Sequence, residues 1–147
     1  MAEKKFKLEI VTPERVELSD EVVSLIAPGT EGYIGIMANH APLVTELRVG
    51  ELRICWEHVC RYLAITGGFM EVSGPSSRGR EGNKVTILAD ACESAEEIDV
   101  NRAKAAVERA KKRLAAPQER VDVQRAQAAL ARATNRLAIS GKPQEHL

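Results

Sequence analysis

One sixteen-residue helical pattern, written twice, constrains this chain more than any other feature. Asp99–Leu114 reads D-V-N-R-A-K-A-A-V-E-R-A-K-K-R-L, and Asp122–Leu137 reads D-V-Q-R-A-Q-A-A-L-A-R-A-T-N-R-L. Apolar residues recur in both copies at alternating three- and four-residue steps: Val100, Ala103, Val107, Ala110, Leu114, then Val123, Ala126, Leu130, Ala133, Leu137. Such spacing puts one narrow stripe on one face of a helix. Ser94 and Glu97 have capping-box spacing for the start of the first helix. Pro117 interrupts the pattern between the copies, and Gly141 with Pro143 ends the second. Two helices joined by a short turn near Gln118 predict an antiparallel hairpin with facing stripes.

Half of that seam is alanine. Burial stabilises by roughly 25 cal/mol per Å² of apolar surface, so an alanine contributes well under the ~2 kcal/mol of a buried leucine. The hairpin is therefore expected to open, or to leave the rest of the protein, for a few kcal/mol, a range that a ligand or partner can control.

The arginines support a second expectation. With the turn near Gln118, Asp99 falls opposite Arg136 and Arg113 opposite Asp122, which leaves Arg102, Arg109, Arg125 and Arg132 without acidic partners. Four converging guanidinium groups form either an anion site or a solvated basic face with rim ion pairs. The charge distribution sharpens the question. Residues 1–97 hold ten Lys/Arg against sixteen Asp/Glu, whereas residues 98–137 hold ten against four. A basic hairpin suits an acidic protein surface, a nucleotide or nucleic acid. Nucleic acid is disfavoured, because the helices carry no aromatic residue for stacking and no helix-turn-helix or zinc-finger spacing.

The first residues lack a continuous apolar segment, and no run approaches the ~20 residues that cross a bilayer, so a soluble cytoplasmic chain without direct membrane insertion is expected. Three cysteines, Cys55, Cys60 and Cys92, form no C-x-x-C pair and fit buried free thiols in a reducing compartment. Cys55, His58 and Cys60 lack a fourth ligand for zinc, and no metal site is expected.

The front of the chain alternates in the manner of strands. Phe6–Ile10, Val22–Ala27, Leu52–Ile54, Tyr62–Thr66, Phe69–Val72 and Val85–Leu88 are short extended pieces with turn signals between them. Gly29, Gly32 and Gly35 punctuate further pieces, and no following helix or Lys-Ser/Thr supports a phosphate loop. Ser73–Asn83 has the composition of an exposed, mobile loop. The expectation is an all-β sandwich over residues 1–93 followed by an α-helical hairpin over 94–147, an α+β chain of two domains. The scattered histidines, His40, His58 and His146, sit beside no nucleophile or carboxylate signature, which speaks against a small hydrolase and for a binding or regulatory subunit. An adapter whose basic hairpin docks on an acidic protein or nucleic acid is the alternative.

Four stretches give the chain a resemblance that covers nearly its whole length: G-Y-I-G-I-M-A-N-H-A-P-L-V-T-E-L (Gly32–Leu47), I-T-G-G-F-M-E-V (Ile65–Val72), V-T-I-L-A-D (Val85–Asp90) and I-D-V-N-R-A (Ile98–Ala103). With an alanine- and arginine-rich hairpin behind a β domain, they resemble the epsilon subunit family of the F-type rotary ATP synthase. The resemblance implies a non-catalytic central-stalk subunit at the cytoplasmic face of the cell membrane, coupling proton flow to ATP synthesis. Its sandwich would bind the gamma subunit and rest on the c-ring, with Glu31, Gly32, Tyr33 and His40 in the contacting segment. Its hairpin would permit ATP hydrolysis when folded and block it when extended into the alpha/beta hexamer. No cofactor is implied beyond ATP as a regulatory ligand of the folded hairpin. The pattern I-D-x-x-R-A assigns Ile98, Asp99, Arg102 and Ala103 to the ATP site, and the resemblance extends it to Glu93, Arg109, Arg132 and Arg136. The Ser73–Asn83 loop is longer than the short turn expected there in the family.

Overall fold

Alternating side chains build the front of the chain. In β1 (Phe6–Val11), Phe6, Leu8 and Ile10 are buried while Lys7 is exposed, and β7 (Lys84–Ala89) repeats the pattern with Val85, Ile87 and Ala89. The computed structural model describes residues 4–74, 83–115 and 122–146. Between β1 and β7 run β2 (Val16–Val22), β3 (Ser24–Gly29), β4 (Gly32–Met37), β5 (Leu43–Cys55) and β6 (Val59–Ser73). A short β8 (Cys92–Ser94) and a 3-10 turn (Ala95–Glu97) lead into α1 (Val100–Ala115) and α2 (Val123–Ser140), and β9 (Glu145–His146) follows.

The strands follow the order β2-β1-β7-β6-β5-β3-β4, with β8 and β9 also paired to β6. Fully buried Leu8, Ile10, Leu25, Ile36, Leu52, Ile54, Ile65, Met70 and Ile87 fill the sandwich, as the alternation predicts. The long β5–β6 pair serves both layers. β7 joins β6 at Gly68–Ser73, whereas β8 and β9 join it at Leu63–Ile65 and Val59–Cys60. Sequence alternation suggested two pieces around Tyr62–Thr66 and Phe69–Val72; they are one fifteen-residue strand. It passes through Gly67 and Gly68 at φ 118° and 140°, a backbone region that only glycine enters without strain.

Cys55 and Cys60 are not free thiols but a disulfide, because the antiparallel register sets them directly opposite, with Cα atoms 4.0 Å apart. Cys92 is the buried free thiol. Most of the Ser73–Asn83 segment lies outside the described residues, yet Asn83 at its end is buried. Its Oδ1 accepts from the Asn39 amide at 2.7 Å, and its Nδ2 donates to the His40 carbonyl. It thereby holds a turn in which Asn39 has φ 66°.

The repeat folds as two helices, and its opening aspartate has the same role in each copy. Asp99 accepts from the Arg102 amide at 3.0 Å, and Asp122 from the Arg125 amide at 3.0 Å. Each is an N-cap that satisfies an otherwise orphaned donor. The expected Asp99–Arg136 and Arg113–Asp122 pairs are absent among the described residues, since both carboxylates turn to their own helix ends. Ser94 and Glu97 also act one step earlier than expected. The Ser94 amide donates to Glu97 at 3.4 Å across the 3-10 turn, and α1 starts from Asp99. Ala103, Val107 and Ala110 bury against Ala126 and Ala133, whereas Val100 and Val123 at the stripe ends stay 38% and 52% exposed. The turn near Gln118 lies outside the described residues.

The helix against the sandwich is α2. Asn135 donates to the Gly50 carbonyl at 2.8 Å, and Ile139 enters a separate apolar cluster with Ala64, Ala95 and Ile98.

Candidate functional site

Asp99, Arg102, Ala103, Ala106 and Arg109 recur at three- and four-residue steps, so they share one face of α1. Small Ala103 and Ala106 leave room beside that face. Opposite stand the β1–β2 turn, Thr12–Arg15, and the β7–β8 connection with the start of β8, Asp90–Glu93. Together with Glu17, Glu97 and Arg136 they enclose a cavity of about 750 Å³, within the range of small-molecule sites. The β1–β2 turn is held by short-range bonds: Thr12 N donates to the Arg15 carbonyl at 2.9 Å, and Arg15 Nε to Glu17 at 2.9 Å.

Charge is divided across this cavity. Arg102 and Arg109 on the helix wall form no ion pair among the described residues and have Asp99 beside them at the helix start, while Glu14, Asp90 and Glu97 line the remaining walls. Arg136 is engaged: its Nε donates to Glu93 at 2.6 Å, with both side chains about one-third exposed (30% and 34%). The helix wall therefore offers two planar forks to an anion. Arg136 can join them only by leaving Glu93.

Of the residues assigned by sequence, Glu93, Asp99, Arg102, Ala103, Arg109 and Arg136 come together here. Ile98 does not line the cavity; it anchors the start of α1 in the cluster beneath. Arg132 also lies outside the lining, one turn before Arg136 on α2, and Arg125 is exposed at the far end of that helix. The expected set of four converging arginines thus becomes Arg102 and Arg109 with Arg136, because α2 turns Arg136 rather than Arg132 toward the sandwich. Sequence reasoning did not find the sandwich wall. Thr12, Glu14, Arg15 and Asp90 follow strand ends, and only the long-range β1–β7 pairing brings their two segments side by side.

Glu31, Gly32, Tyr33 and His40 do not form one patch. Glu31 lies in the β3–β4 turn, Gly32 opens β4 at φ 137°, and Tyr33 follows at 54% exposure. His40 comes after the opposite end of β4, roughly 17 Å away at the ordinary strand rise. A broader exposed surface lies elsewhere. Val16, Val11, Leu88 and Phe69 are successive cross-strand partners over β2, β1, β7 and β6. Val16, Leu88 and Phe69 are 54–56% exposed, and Val44 nearby on β5 is 71% exposed.

Cys92 also lines the cavity, and burial, assisted by the Glu17, Glu97 and Glu93 carboxylates, pushes its thiol from 9.0 up to about 12. Its contribution to stability is whole below pH 9.0 and is lost as pH rises toward 12. At pH 8 native Cys92 is expected to react with a thiol reagent on the order of a thousandfold more slowly than in the unfolded chain. Equal rates would contradict a closed environment.

Comparison with known proteins identifies the architecture. The family described as ATP synthase, Delta/Epsilon chain, beta-sandwich domain matches residues 5–95, and the long alpha-helix domain of the same chain matches residues 96–141. The chain is 52% identical over 115 residues to the ATP synthase epsilon chain of Pelotomaculum thermopropionicum, covering 78% of this chain and 80% of that one. It is 51% identical over 111 residues to the ATP synthase epsilon chain of Carboxydothermus hydrogenoformans, covering 76% and 77%. Among solved structures, a chain of the Euglena gracilis mitochondrial ATP synthase OSCP/F1/c-ring assembly superposes with a TM-score of 0.74 at 25% identity, over 91% of this chain and 80% of that one. A chain of the Tetrahymena thermophila mitochondrial ATP synthase central stalk/c-ring shares the fold, with a TM-score of 0.54 at 15% identity, over 95% and 96%. The capped helical repeat, the strand order and these matches agree: the chain belongs to the ATP synthase delta/epsilon chain family.

Proposed function

We propose that this chain is a non-catalytic central-stalk subunit that couples proton-driven rotation to ATP synthesis, and that its folded hairpin binds ATP as a regulatory ligand. The observation that carries the ligand reading is the ownership of the cavity walls. One wall is α1, with Arg136 of α2 beside it, and the facing walls belong to the sandwich, so the cavity exists only while the hairpin is folded. A ligand that fills it therefore stabilises the folded form, by about 2.7 kcal/mol at a hundred times its Kd. When ATP falls, the hairpin is released, and its ten basic residues against four acidic over residues 98–137 suit an acidic surface within the alpha/beta hexamer. Extended there, it blocks hydrolysis. Calorimetric titration of ATP into the full chain tests the ligand: saturable heat at millimolar ATP or below is expected, and none would remove the sensor.

The stalk role rests on family membership and on the Val16–Leu88–Phe69–Val44 surface, an exposed apolar patch of the kind that marks a protein contact. We assign it to the gamma subunit and the Glu31–Tyr33 turn to the c-ring. No helix among the described residues is long and apolar enough to cross a membrane. We propose a peripheral position at the cytoplasmic face of the membrane, held by these contacts. The double variant Phe69→Glu/Leu88→Glu changes two outward side chains on adjacent strands, and it is expected to weaken gamma association at least about tenfold while the sandwich stays folded. Undiminished co-purification with gamma would refute the assignment of this face.

A further inference from the structure

The segment that holds the hairpin to the sandwich lies beyond the family match, which ends at residue 141. From there the chain turns back. Lys142 Nζ donates to Glu51 on β5 at 2.7 Å and stands 4.9 Å from the Tyr62 ring centre. Glu145 accepts from the Tyr62 hydroxyl at 2.5 Å and from Arg53 Nη2 at 3.1 Å. Glu145 and His146 then pair with Cys60 and Val59, adding β9 to β6 on the rungs beside the Cys55–Cys60 disulfide. No hydrogen bond or ion pair joins α1 to the sandwich among the described residues, so the attachment of the hairpin is concentrated in α2 and in this segment.

We infer that Lys142–His146 form a strap, a second copy of the closed-state preference that needs no nucleotide: it clamps α2 to the β5–β6 hairpin, and the helices leave the sandwich only when β9 is stripped off. The strap contacts are independent of the cavity, so the inference does not depend on ATP binding. Their charges persist over the ordinary pH range. Glu51 holds the Lys142 ammonium above 10.5, and Tyr62 and then Arg53 hold the Glu145 carboxyl below 4.5. Each pair is too exposed to fix the helix alone. Joined to a strand pairing and to the buried Ile139 three residues upstream of Lys142, they act on one short stretch of chain.

Amide hydrogen exchange on the full chain without nucleotide tests this, with wild type, Lys142→Glu, Glu51→Lys and the combined swap. Each single change places like charges at the contact and is expected to speed exchange in α2 about tenfold, while amides of β1 and β7 keep their rates. The swap restores opposite charges and is expected to return α2 to within about twofold of wild type. Unchanged α2 exchange in both single variants would overturn the strap. Should a single variant loosen β1 and β7 as well, the swap decides: recovery of α2 supports the strap, and failure to recover refutes it.

Discussion

Arg102→Ala is expected to lower ATP affinity ten- to a hundredfold, which corresponds to the 1.5–3 kcal/mol of a hydrogen bond to a charged group. Arg102 lies in the first turn of α1, where its amide is already satisfied by Asp99 at 3.0 Å. The helix start therefore does not depend on the side chain, and the guanidinium is left facing the cavity without an ion-pair partner among the described residues. Alanine is the best helix former, so the substitution removes the fork and keeps the helix. Arg125→Ala is the matched control. Arg125 occupies the same place in the second copy of the repeat, with its amide capped by Asp122, but lies outside the cavity. Calorimetry on both variants separates a site from a general basic field. Equal losses would mean that ATP senses only overall charge, and no loss at Arg102 would place the ligand elsewhere.

Gly68→Ala is expected to cost the sandwich about 3 kcal/mol or more, lowering Tm by roughly 6–12 °C. A Cβ built there would stand 2.0 Å from the Leu88 carbonyl oxygen and 2.9 Å from Ala89 Cα, both backbone atoms of β7 that cannot rotate away. The φ of 140° adds strain for any side chain. Relief requires β7 to move off β6, which would open the core between Met70 and Ile87. Gly35→Ala provides the comparison, since nothing lies within 4 Å of its added Cβ and its φ is ordinary. That variant is expected to stay within about 0.5 kcal/mol of wild type. Thermal unfolding followed by circular dichroism distinguishes the two, and similar midpoints would show that the strand does not need its bend at Gly68.

Much of the fold was legible because its signals are local. Strand alternation in β1 and β7, the stripes of α1 and α2, and the stop at Gly141 depend on residues within a few positions of one another. The same locality misled in two places. The Gly67–Gly68 pair has the composition of a break between strands, but β7 pairing on one side and β8 on the other carries β6 through it. The edge strand β2, with Glu17, Asp20 and Glu21 among seven residues, carries too weak an alternation to read and is extended because β1 pairs with it.

The candidate site divides along the same line. The repeat D-V-x-R-A determined by itself that two similar helices follow one another and that an arginine holds the same place near the start of each, since periodicity is local; that the first starts from Asp99 and not from Ser94 was decided by the structure. Tertiary structure alone decided which arginines share a cavity. That choice depends on how α2 is turned against the sandwich by Asn135, Ile139 and the strap, and on the β1–β7 pairing that supplies the facing wall. It likewise joined Cys55 to Cys60 and Lys142 to Glu51, because register between strands and the return of a chain over a finished sheet are contacts between distant residues, to which neither propensity nor periodicity is sensitive.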